Sequence, residues 1–216
     1  MKDYAKLKKK KDYTLQYPEV NTVRELDFSQ TYSYAHYLRW AFEDRMELIK
    51  GKVFHMSPAP APVHQRVSVN LASELHQYLK GRCCAVYPAP FDVRLPGKSL
   101  LDEDIFTVVQ PDISIICDES KIDGRGCIGA PEIIIEILSP GNGQRELKIK
   151  FSLYQEHGVK EYWIVYPSEH IIMKYVLDEN GRFDSGTHYM GNEPLVSNLL
   201  PGFCLAMEDV FDVITV

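Results

Sequence analysis

The segment Glu132-Ile133-Ile134-Ile135-Glu136-Ile137-Leu138 constrains the fold more than any other part of the chain. Branched aliphatics occupy both faces of this extended run, which suits a central strand covered on both sides and not a half-exposed one. Glu136 is the exception in its body. An ionised carboxylate among such neighbours costs several kcal/mol to desolvate unless a partner meets it. The expected fold class is therefore α/β (α+β), a mixed β-sheet flanked by helices and built around this strand.

A second strand-like run, Pro111-Asp112-Ile113-Ser114-Ile115-Ile116, opens on another carboxylate. If the two strands are neighbours, Asp112 points to the sheet end and converges on Glu136. Two carboxylates a few ångströms apart raise each other's proton affinity unless a cation sits between them. All-oxygen ligation with open water positions suits Mg²⁺ or Mn²⁺ better than zinc.

A third element follows. From about 145 to 157 the spacing predicts a helix on which Leu147, Ile149, Phe151, Leu153 and Tyr154 form one broad apolar arc, with Lys148, Ser152, Gln155 and Glu156 opposite. Lys150 falls in the middle of the apolar arc, and Glu146 and His157 lie close to the same direction. A lysine whose stem snorkels to solvent is the ordinary alternative. Two carboxylates and a lysine facing one sheet end read instead as a metal-dependent nuclease site.

Elsewhere, Tyr34, Tyr37, Leu38, Ala41 and Phe42 recur at helical spacing, and residues 46–56 around Lys50-Gly51 read as a β-hairpin that carries Glu47. Alternate prolines make 57–62 a loop. A helix from His64 to about Lys80 has Val67, Leu71 and Leu75 on its buried face, with His64 at the helix start in the same direction. Further strands are expected at 84–95, 106–117, 162–165 and 171–175. Asp102, Glu103 and Asp104 sit in a polar loop and read as solvated.

A length of 216 residues suits a lysine-rich N-terminal arm and lead-in over 1–30 and a single domain over 31–216. With 24 basic and 30 acidic residues and a net charge of −6, bulk electrostatics do not drive the chain onto nucleic acid, so any such contact is local. The five cysteines include no CxxC pair, which suggests neither a disulfide framework nor a zinc ribbon. No apolar stretch approaches the ~20 residues of a membrane helix. A soluble, cytoplasmic protein with no membrane partner is expected.

Several motifs together resemble a known family: Met46-Glu47-Leu48-Ile49-Lys50-Gly51; Ser57-Pro58-Ala59-Pro60 with His64; Val109-Gln110-Pro111-Asp112-Ile113; Ala130-Pro131 through Glu136-Ile137-Leu138-Ser139-Pro140; and Lys150 with Tyr154, Gly158, Val159, Glu161, Tyr162 and Trp163. In order and spacing, from about residue 30 to 212, they look like the Uma2 family, restriction-endonuclease-like proteins of bacteria within the PD-(D/E)XK nuclease superfamily. The resemblance implies a restriction-endonuclease-like core and an endonuclease that hydrolyses phosphodiester bonds in nucleic acid, DNA first. In it Asp112, Glu136 and the Ile137 carbonyl hold Mg²⁺ or Mn²⁺, and Asp112, Glu136 and Lys150 are catalytic. Glu47, His64, Glu146 and Tyr154 are supporting residues.

The sequence departs from the superfamily pattern where Ile137 and Leu138 occupy the X-K positions. The strand lysine is absent, and Lys150 matches the helix lysine that replaces it in this family. Glu146 stands where relatives often have Asp. By analogy with enzymes that cut both strands of a duplex, a homodimer is expected. Two rival readings stand beside this one: a catalytically inactive nuclease fold that binds nucleic acid or a protein partner, and a structural acidic pair around Lys150 with no metal.

Overall fold

The computed structural model describes residue 13 and residues 16–56, 61–139 and 144–211, with only the backbone for 144 and 145. The lysine-rich arm, residues 57–60 of the proline-rich segment, and Gly141 and Gly143 lie outside the described residues. In chain order the elements are α1 (Tyr34–Tyr37), β1 (Met46–Ile49), β2 (Lys52–His55), α2 (Pro62–Leu79), β3 (Ala85–Pro88), β4 (Val93–Arg94), β5 (Val108–Val109), β6 (Ile113–Ile116), β7 (Ile122–Asp123) and β8 (Gly126–Ile128). There follow β9 (Ile133–Ile137), α3 (Gln144–His157), β10 (Glu161–Tyr166), β11 (Ile171–Val176), β12 (Thr187–Met190), β13 (Leu195–Val196), β14 (Cys204–Leu205) and α4 (Met207–Phe211).

These elements form two compact units. The first comprises Met1–Pro58, Asp92–Gln110 and Glu119–Gly129, and its strands run β2-β1-β5-β4-β8-β7. Its apolar core gathers Leu26, Tyr32, Tyr34, Leu48, Ile105, Val108 and Ile128. The β1–β2 hairpin closes through Lys50 (φ 51°) and Gly51 (φ 78°), two left-handed residues in succession that match the twist of a two-residue hairpin. A side chain could not replace the hydrogen of Gly51, because a Cβ there would meet the Thr31 methyl and the Tyr32 carbonyl.

The second unit comprises Ala59–Phe91, Pro111–Asp118 and Ala130–Val216, with strand order β12-β11-β10-β9-β6-β3. β9 runs parallel to β10 and antiparallel to β6, so the aliphatic run is central, as its two apolar faces require. One face, with Ile133, Ile135 and Ile137 beside Ile113, Ile115, Trp163 and Val165, clusters with Val67, Leu71, Leu75 and Leu79 of α2. These α2 residues are spaced four apart, and Pro62 begins the helix at a position whose N–H needs no partner. Mixed sheets flanked by few helices are the α+β architecture expected from the sequence.

Several local expectations change. The first helix spans only Tyr34–Tyr37. The strand expected over 84–95 is broken at residues 89–92, where the Ala89-Pro90 bond is cis, and that expected over 106–117 is broken at residues 110–112. Asp102 is not solvated: it is 6% exposed and accepts hydrogen bonds from Arg125 at 2.7 Å and from Tyr13 at 2.9 Å. Cys84 and Cys117 form a disulfide, which cysteine spacing did not suggest; the β3–β6 register, with Ala85 opposite Ile116, brings them together. Among the described residues no helix is long and apolar enough to cross a membrane.

Candidate active site

The antiparallel register of β6 and β9 pairs Ile113 with Ile135 and Ser114 with Ile134. One step further along the same ladder, Asp112 stands level with Glu136. Period-two alternation then puts Ser114, Ile134 and Glu136 on the face opposite α2, while Asp112, one residue before β6, lies at the sheet end. Helix α3 supplies the partners on that side. Lys150, spaced to face the sheet, donates from Nζ to Glu136 Oε1 at 3.0 Å, and the Tyr154 hydroxyl donates to the same oxygen at 2.6 Å.

The Glu136 and Lys150 side chains are 10% and 6% exposed, so this charge pair sits in a low-dielectric setting where each group answers the desolvation of the other. Glu146, one turn earlier and 44% exposed, approaches Lys150 at 4.0 Å from the solvent side. Tyr154 packs edge-on against Tyr162, with ring centroids 5.0 Å apart.

Asp112 is held differently. Its Oδ2 accepts the backbone N–H of Ile137 at 2.7 Å, and its Oδ1 lies 3.3 Å from His64 Nε2. His64 occupies the first turn of α2, so the start of that helix and the end of β9 both grip one carboxylate. Burial pulls the His64 pKa down. The hydrogen bond to Asp112 and its charge, followed by the Ile137 backbone and the Glu136 charge, outweigh burial and leave the imidazole above its ordinary value. The Asp112 side chain remains 22% exposed, which makes it the open edge of an otherwise closed cluster.

Asp112, Glu136, Ile137, Lys150, Tyr154, His64 and Glu146 are thus all placed in the second unit, by α2, β9, α3 and the residue that leads into β6. Glu47 belongs to the first unit. There it is 2% exposed on β1, and its Oε1 accepts the Gln110 backbone N–H at 2.9 Å. Gln110 is also bonded to Asp92 at 2.9 Å, and burial, the largest influence on Asp92, raises that acid's pKa.

Sequence reasoning passed over two further groups on the Glu136 face. Ser114 and Tyr162 both pair with Ile134, one on each side, and the Ser114 Oγ and Tyr162 hydroxyl are buried with no hydrogen-bond partner among the described residues. Burial, with the Glu136 charge next, raises the Tyr162 pKa well above that of an ordinary phenol. The signal was available for Ser114, a lone small polar residue two positions from Asp112 in an isoleucine run. His64 Nδ1 is also buried without a partner among the described residues.

Both carboxylates and the Ile137 carbonyl are hard oxygen donors, the chemistry a small divalent cation selects. Among the described residues no group of three or more His, Cys, Asp or Glu side chains converges as a metal cluster. Any fit therefore rests on these two acids together with main-chain oxygen.

Residues 34–208 match a protein family, Uma2, described as "Putative restriction endonuclease". Among solved structures the chain is similar to a crystal structure of "a putative nuclease belonging to DUF820" from Anabaena variabilis ATCC 29413. The TM-score is 0.65 at 21% identity, over 84% of this chain and 98% of that one. At that identity the likeness is one of fold. No curated protein matches.

Proposed function

The chain belongs to the Uma2 family, and from that premise we propose that it is a metal-dependent endonuclease hydrolysing phosphodiester bonds in nucleic acid, with DNA as the substrate. The observation that carries the proposal is the β6–β9 register, which brings Asp112, just before β6, level with Glu136, together with Lys150 bonded to Glu136 at 3.0 Å. A helix lysine thereby reaches the acids that the strand lysine of the superfamily pattern would serve.

Asp112, Glu136 and the Ile137 carbonyl would hold Mg²⁺ or Mn²⁺. When bound, such an ion polarises a phosphate oxygen and lowers the pKa of an attacking water. The chain's own residues do the rest. Lys150 pairs with Glu136 and offers a positive charge where negative charge develops on the phosphoryl oxygens, a preorganised contribution of a few kcal/mol in comparable sites. Tyr154 fixes the Glu136 rotamer, and His64 and the Ile137 N–H fix Asp112. Glu146 faces Lys150 from the solvent side and limits its motion. A homodimer would present two such sites to the two strands of a duplex.

The test is incubation of the full chain with supercoiled plasmid, single-stranded DNA and RNA in Mg²⁺, Mn²⁺ or EDTA, beside Asp112→Ala and Lys150→Ala. The expected result is metal-dependent cutting of DNA that both variants lose. If nothing is cut and the metals leave the melting temperature of the wild type unchanged, the enzyme reading falls, because an ion that binds only the folded state must raise it.

A further inference from the structure

Three sulfurs meet at the edge of the second unit's sheet, and the proposed nuclease chemistry uses none of them. The Cys84–Cys117 disulfide ties edge strand β3 to β6 one step beyond the Ala85–Ile116 pair. The exposed thiol of Cys83 lies 3.8 Å from Cys84 Sγ. A free thiol touching one sulfur of a disulfide is placed for thiol–disulfide exchange, whose rate depends on thiolate fraction, access and which sulfur is reached. Exposure supplies access, and the contact selects Cys84.

We propose that Cys83, Cys84 and Cys117 form a thiol–disulfide exchange site in which the Cys83 thiolate attacks Cys84 Sγ. The Cys83–Cys84 bond forms as the Cys84–Cys117 bond breaks. The electron pair of the broken bond leaves on the Cys117 sulfur, which takes up a proton in place of the one Cys83 released. One disulfide replaces another, so no oxidant or reductant is consumed.

The surroundings of Cys117 bear on the rate. Its backbone N–H donates to the Glu132 carboxylate at 2.8 Å, and Asp118 follows it in sequence. Negative charge nearby opposes departure of the Cys117 sulfur as an anion and slows the exchange, and the Cys84–Cys117 bond is the isomer the structure holds. An external thiol adds a second path to the same exchanged isomer. Once it has opened the tie at Cys84, Cys83 expels it and closes the Cys83–Cys84 ring, which leaves Cys117 free. The site stands apart from the nuclease proposal and survives its failure.

The experiment follows loss of the Cys84–Cys117 bond in the full chain under excess glutathione, by acid quench, alkylation and peptide mapping without reduction. Wild type and Cys83→Ser are compared, with Cys204→Ser as the control for the other exposed thiol. Loss about tenfold faster in the wild type than in Cys83→Ser, with a transient Cys83–Cys84 linked peptide and no effect of Cys204→Ser, supports the site, since an adjacent thiol adds a second route to exchange. Equal rates in wild type and Cys83→Ser overturn it. So does a starting protein in which Cys84 and Cys117 are both free thiols.

Discussion

Lys150 Nζ lies 3.0 Å from Glu136 Oε1 with both side chains at least nine-tenths buried, so the cationic and anionic centres of the site desolvate together. Breaking such a pair from one side leaves an unanswered charge inside the protein, which typically costs about 3–5 kcal/mol. Lys150→Met should lose that much in urea denaturation and all measurable cutting. The double variant Glu136→Gln/Lys150→Met should recover most of the stability and none of the activity. Strict additivity of the two single losses would show that the pair is not coupled.

Tyr154 contributes one short hydrogen bond, 2.6 Å to the same Glu136 oxygen. Tyr154→Phe removes that donor and leaves the ring in place, so the cost is a charged-acceptor hydrogen bond, about 1.5–3 kcal/mol. Cutting should slow with the fold retained. A variant with wild-type stability and wild-type turnover would remove Tyr154 from the site.

Tyr162 should behave in the opposite way. Its hydroxyl is buried without a partner among the described residues, and an unpaired buried hydroxyl opposes folding. Tyr162→Phe is expected to be neutral or to gain up to about 1 kcal/mol. A clear loss in chemical denaturation would mean that the hydroxyl is satisfied in solution.

His64 gives the apo protein a pH signature. Its folded-state pKa is raised above the ordinary 6.5, with Asp112 as the cause that overcomes burial. A raised folded pKa stabilises the folded state fully below the unfolded value, and that stabilisation is lost as pH rises through the folded value. In EDTA, the melting-temperature gap between wild type and His64→Gln should therefore be widest near pH 5.5 and narrow toward pH 8.5. A gap that widens with pH would reverse the assignment.

The Cys84–Cys117 bond closes a loop of sequence separation 33. Cys117→Ser should cost about 2–4 kcal/mol by releasing that constraint on the unfolded chain. Denaturation of wild type with and without a strong reductant should give a matching difference, and no difference would argue against the bond.

The site was legible because its anomalies are local. Glu136 breaks an aliphatic run, Lys150 breaks an apolar arc, and both signals need only strand and helix periodicity. Asp102 was misread because its partners, Arg125 and Tyr13, lie 23 and 89 residues away, and no periodicity links them. Glu161 has the same character. It is fully buried at the start of β10 and accepts from Trp163 and from Ser197, Asn198 and Leu199 on a later segment. The disulfide was invisible for want of the β3–β6 register. The strands over 84–95 and 106–117 were drawn too long because alternation was followed through Pro90 and Pro111, residues that remove ladder donors.

The step-by-step match of β6 with β9 also governs how this chain can change over evolutionary time. Substitutions along these strands alter chemistry one position at a time, whereas insertion or deletion of a single residue within β6 would shift its pairing with β9 and exchange its two faces. The strands themselves therefore tolerate new letters but not a new count.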